Sequence, residues 1–154
     1  MRTGIYGVMA LALLAGACSS PEPTTTTPTG GVARAEPGSV AEFQQVVGDR
    51  VFFDLDSSQL RLDARETLTK QATWLKQYTR YAATVEGHAD ERGTREYNLA
   101  LGARRAQSVQ SFLASQGVPG ARLKNISYGK ERPEVVGSDE GAWQRNRRGV
   151  TSLQ

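Results

Sequence analysis

The chain has 154 residues, 38% of them hydrophobic and 23% charged, with a formal net charge of +3. That size suits one ordinary domain with short terminal segments, and the mild, scattered basicity, with no Lys/Arg block interleaved with aromatics, argues against nucleic acid as a partner. A single cysteine excludes an intrachain disulfide framework, so the fold must hold without a staple.

Met1-Arg2 supplies a positive start, and Ile5 to Ala17 is an apolar run too short to span a bilayer as a mature helix. This pattern predicts a signal peptide over residues 1–17. It ends in "LLAGAC", where small residues precede Cys18, and this segment resembles a bacterial lipobox, with Ala15 at a place more often held by Leu. The resemblance implies lipidation of Cys18 as the mature N-terminus. Ser19 follows it in place of the Asp that marks inner-membrane lipoproteins, which implies an outer-membrane, periplasm-facing location. From Ser19 to Gly38 the chain reads "SSPEPTTTTPTGGVARAEPG", with four prolines and a threonine run. Such a segment buries too little apolar surface to fold, so residues 18–38 are expected to form a lipidated, disordered leash. Its reach is roughly 25 Å.

Residues 39–154 read as one domain. Val51-Phe52-Phe53 predicts a strand. Ala64, Leu68, Ala72 and Leu75 recur at helical spacing and predict a helix with one apolar face. Residues 83–86 predict a second strand, running into Gly87-His88-Ala89-Asp90-Glu91-Arg92-Gly93, which holds the only histidine. A second helix is expected from about Tyr97 to Gln116, stopped by Gly117 and Pro119. Strands over residues 123–128 and 149–153 complete a β-α-β-α-β-β order. The fold class is α/β, an α+β sandwich with a mixed sheet covered by helices on one face.

The GHADERG loop admits three readings. A hydrolase with His88 as base needs a nucleophile, and no G-x-S-x-G elbow is present. A metal site would rest on one histidine without the spaced carboxylates of a calcium loop, a poor ligand set. The third reading is a binding pocket at the end of a strand, with no cofactor and no catalysis. There the Asn98 and Leu99 backbone N–H groups would lie unpaired in a first helical turn, Arg105 would follow two turns along the same face, and Asp90 would supply an anion. Cation donors beside an anion suit a ligand carrying both a carboxylate and an ammonium. The same residues would equally serve the protein itself, with Asp90 and Arg105 paired together or Asp90 capping the helix.

The stretch "TVEGHADERGTREYNLALGARRAQSVQSFLASQGV", with "VFFDLDSSQL" upstream and "SYGKERP" and "NRRGV" downstream, resembles the OmpA-like peptidoglycan-binding domain family over roughly residues 48–154. The resemblance implies non-covalent binding of the meso-diaminopimelate in the peptidoglycan stem peptide. It places the key aspartate on Asp90 and the key arginine on Arg105, with Asp56, Asn98 and Leu99 lining the pocket and Arg147 and Arg148 nearby. Leu55, where Phe is common, and Arg95, where Pro is common, depart from the family pattern. With the lipobox and leash, the resemblance further implies a tether from outer membrane to cell wall that works with the Tol proteins, TolB among them, in envelope integrity and division. The alternative is a wall-binding module of another envelope machine, such as a stator or secretion assembly.

Overall fold

In the computed structural model, residues 35–154 are described. The expected signal peptide, Cys18 and most of the leash lie outside the described residues.

The domain opens with a short helix, α1 (Val40–Glu42), that widens into a π-helical turn over Phe43–Gly48. Ser39 caps it by accepting the Glu42 N–H at 3.1 Å. Phe43 is fully buried against Trp74, ring centres 4.9 Å apart, and fixes this helix to the core. Then follow β1 (Arg50–Phe52), α2 (Leu62–Gln77), β2 (Ala83–His88), α3 (Arg95–Ser115), β3 (Leu123–Gly129), α4 (Glu140–Asn146) and β4 (Arg148–Leu153). The sequence-based order lacked α1 and α4. Both are too short for an apolar period to emerge, and α4 buries only Ala142 and Asn146. It forms because Asp139 accepts the Ala142 N–H at 3.0 Å. The other six elements are found where the sequence placed them. Their bounds move by at most two residues: α3 starts at Arg95 and not near Tyr97, and β2 runs on to His88.

The sheet order is β1-β4-β2-β3, with β2 and β3 parallel and β4 antiparallel to both β1 and β2. β1 and β2 therefore run in the same sense. The two crossovers through α2 and α3 step the same way across the sheet, so the usual right-handed rule puts both helices on one face. Alternation along the strands sends Val51, Val85 and Thr151 toward these helices. Fully or almost fully buried Phe53, Leu68, Leu75, Val109 and Leu113 complete the core, each contributing about 1.5–3 kcal/mol on burial.

One contact sets the site's geometry. A Cβ on Gly87 would lie 1.8 Å from the Gly102 carbonyl oxygen. Two glycines thus let α3 lie directly on β2, and Arg105, one turn beyond Gly102, arrives at the end of that strand.

Candidate binding site

The turn after β1 brings Asp56 into the left-handed backbone region, φ 54°, a conformation aspartate tolerates. This turn, the end of β2 and the first half of α3 converge on Arg105. Its side chain is fully buried. Nε donates to the Ser57 carbonyl at 2.8 Å, Nη1 to the His88 carbonyl at 2.8 Å and Nη2 to the Asp54 carbonyl at 3.0 Å. Burial pushes its pKa down to about 10, against the opposing pull of Asp90, and it stays charged at neutral pH. Among the described residues no carboxylate lies within ion-pair distance of it.

Asp90 is almost completely buried beside it. Oδ1 accepts the Arg92 backbone N–H at 3.1 Å and Arg92 Nε at 3.3 Å; Oδ2 accepts Arg92 Nη2 at 2.7 Å and Arg147 Nη1 at 3.3 Å. Burial works to raise its pKa, but these bonds outweigh that and hold the carboxyl below the usual carboxylate range. Arg147 is itself fixed, donating to the Phe53 carbonyl at 3.2 Å and to Glu140 at 2.7 Å.

A cavity of about 50 Å³ lies between Asp90 and Arg105, closed by Asp56, Arg92, Tyr97 and Asn98 with Leu55 and Leu101. Its volume admits one charged head group. The Tyr97 hydroxyl reaches the Asp56 carboxylate across its mouth. Arg147 also borders a larger groove of about 390 Å³, with Phe52, Asp54, Arg61 and Arg145, but that groove lacks the facing Asp90 and Arg105.

The sequence-predicted residues divide. Asp90, Arg105, Asp56, Asn98 and Arg147 come together. Asn98 plays a different part from the one expected. Thr94 caps α3, and the Asn98 N–H already donates to the Thr94 carbonyl at 3.1 Å, so it is not free for a ligand. Its buried side chain instead donates to the Arg92 and Thr94 carbonyls at 2.7 and 3.1 Å and pins the loop. Leu99 does not reach the cavity; it is exposed and borders a separate surface hollow with Ser127 and Tyr128. Arg148 does not reach it either. Strand alternation turns it away from Arg147, onto the opposite side of the sheet, where it meets Glu134 at 3.0 Å. Of the two readings that kept the charges within the protein, direct pairing of Asp90 with Arg105 is absent, and Thr94, not Asp90, caps the helix. His88 contributes its carbonyl to Arg105, while its buried ring lies 5.5 Å from Tyr128 on the far side. Sequence reasoning missed Arg92, Tyr97 and Trp143. The spacing of Arg92, two residues after an aspartate, was the available signal, since that is the reach of an Asx turn.

Residues 52–147 match the OmpA family. The chain belongs to this family. It is 56% identical over 149 residues to the peptidoglycan-associated lipoprotein of Agrobacterium fabrum, covering 94% of this chain and 84% of that one. It is 54% identical over 147 residues to the protein of the same name from Rhizobium meliloti, covering 95% and 84%. The crystal structure of the peptidoglycan-associated lipoprotein from Burkholderia pseudomallei superposes with a TM-score of 0.70 at 36% identity, over 74% of this chain and 98% of that one. The C-terminal domain of Helicobacter pylori MotB superposes with a TM-score of 0.64 at 22% identity, over 69% and 84%, and shares the fold alone. The curated relatives named here are peptidoglycan-associated lipoproteins, and the reading of this chain as a binding protein and not an enzyme agrees with them.

Proposed function

We propose that this chain is a cell-envelope lipoprotein that holds peptidoglycan without a covalent bond, gripping the ammonium and carboxylate at the free end of a meso-diaminopimelate in the stem peptide. The observation that carries this is Arg105, a fully buried cation held by three carbonyls and lacking a carboxylate of its own, set across a small cavity from the buried anion Asp90. A guanidinium so placed keeps N–H donors in hand for an incoming carboxylate, and the carbonyls fix its fork in advance. Acyl chains on Cys18 would hold the other end in the outer membrane, at about 0.8 kcal/mol for each buried CH₂. Together they tether membrane to wall, and TolB would compete for the same face of the domain within a Tol system.

Co-sedimentation of the full-length protein with purified sacculi tests the pocket. Asp90→Asn keeps shape and removes the charge. Each lost charge-assisted hydrogen bond costs about 1.5–3 kcal/mol, so sacculus affinity should fall about tenfold to a hundredfold. Equal sedimentation of wild type and a folded Asp90→Asn protein would remove Asp90 from the site. In the same assay excess TolB should release the protein from sacculi, and Cys18→Ala should abolish palmitate labelling in cells.

A further inference from the structure

Resting on that reading, we infer that Arg92 is a built-in competitor for the ligand's ammonium: it occupies the Asp90 carboxylate and must swing aside before an amine can bind. A carboxylate offers about four acceptor positions. In this structure four donors fill them: the Arg92 backbone N–H, Arg92 Nε, Arg92 Nη2 and Arg147 Nη1. An incoming ammonium therefore needs one of these donors to leave.

The donors differ in their freedom to do so. Arg147 is 6% exposed and tied to Phe53 and Glu140 as well as Asp90. The Arg92 backbone is held by the bond from Asn98 Nδ2 to its carbonyl. The Arg92 side chain is 35% exposed, and its charged bonds go to Asp90 alone. The guanidinium already lies over the Trp143 ring, 3.9 Å from its centre, and feels the charges of Glu140 and Glu91. A rotation of the side chain about a fixed backbone moves it off Asp90 while the indole face and these carboxylates receive it. The Trp143 Nε1–H donates to Glu91 Oε1 at 3.1 Å, which holds the indole in place.

Such a resident cation lowers apparent affinity by the fraction of time that it holds the seat. It also imposes selectivity. With Arg92 gone, Arg147 is the one counter-ion left on Asp90, and an incoming cation restores the charge and the hydrogen bonds that Arg92 took away; a ligand offering a carboxylate alone cannot complete the exchange.

The test is calorimetric titration of the full-length protein in mild detergent with a meso-diaminopimelate stem tripeptide, and with the same peptide acetylated on its free side-chain amine. Arg92→Ala should bind the free-amine peptide about two- to fivefold tighter than wild type, the range expected for losing a partly exposed ion-paired competitor, and should gain nothing with the acetylated peptide. Arg92→Lys, which keeps the charge and loses the fork, should lie between the two. Weaker or unchanged binding of the free-amine peptide by folded Arg92→Ala overturns the competitor role while leaving the pocket standing. Failure of both wild type and Arg92→Ala to bind the peptide removes the pocket reading and the competitor with it.

Discussion

Two buried arginines lie at opposite faces of the same sheet end, and they are stabilised in different ways. Arg148 has its own counter-ion: Glu134 sits 3.0 Å from its Nε and also pairs with Arg50 at 2.8 Å. Arg105 has carbonyl oxygens only. Burial lowers the pKa of both. A buried cation with a resident carboxylate is neutralised, and its charge serves the fold. One held by dipoles alone is solvated but not neutralised, and it retains attraction for an anion from outside. His88 stands between them, its carbonyl on Arg105 and its ring facing Arg148 and Arg132.

The two arginines should respond differently to the same substitution. Arg105→Met leaves the Asp54, Ser57 and His88 carbonyls without their donor and should cost about 3–5 kcal/mol, with loss of sacculus binding. Arg148→Met should cost less, about 2 kcal/mol, because Glu134 is partly exposed and keeps Arg50. Its sacculus binding should stay intact. Urea unfolding with co-sedimentation of each folded variant checks both halves; lost binding in Arg148→Met would erase the distinction.

A second test uses the residue they share. Burial first, then Arg148 and Arg132, push His88 from its ordinary 6.5 down to about 4. The unfolded chain therefore takes up this proton before the folded one does. The contribution to stability is complete above about pH 6.5 and is lost as pH falls toward 4, about 3 kcal/mol in all. Glu86 is the nearby carboxylate, 3.6 Å from Nε2. Thermal unfolding between pH 7 and pH 4.5 should show a drop in wild type that His88→Gln largely abolishes; an equal drop in both would assign the acid sensitivity elsewhere.

The smallest effect concerns α4. Asp139→Ala removes its cap and should cost about 1 kcal/mol. It loosens Trp143 and Glu140, the residues on which Arg92 and Arg147 rest, so ligand affinity should shift. A stability loss with no change in stem-peptide affinity would show that α4 does not support the site.

Much of the contrast was written in the sequence, and part of it could not be. Asp90 and Arg105 were legible because a strand-to-helix loop and a helical spacing bring them to one place. Asn98 and Leu99 were misread because α3 starts at Arg95, two residues before the first apolar signal, so the free N–H groups expected of them belong to the preceding turn. Arg147 and Arg148 are neighbours in sequence, and only the alternation entering β4, the strand directly beside β2, decides which one meets Asp90. The carbonyls that hold Arg105 carry no residue-type signature at all, since every residue has one. Nor does a seven-residue helix such as α4 announce itself when its formation rests on a cap and its purpose on one indole.

The threefold hold on Arg105 has a mechanical consequence. In the tether proposed above, a pull on a carboxylate held by Arg105 would be divided among the turn at Asp54–Ser57, the end of an interior strand at His88, and α3. At the other end of the domain Glu42 clamps the Gly38 N–H at 2.7 Å, and Arg80 and Tyr81 both reach the Gly38 carbonyl. Load would then enter and leave through points that are each braced by several bonds in parallel. No single bond would carry it, and yielding of one would leave the others to hold the grip until it re-formed.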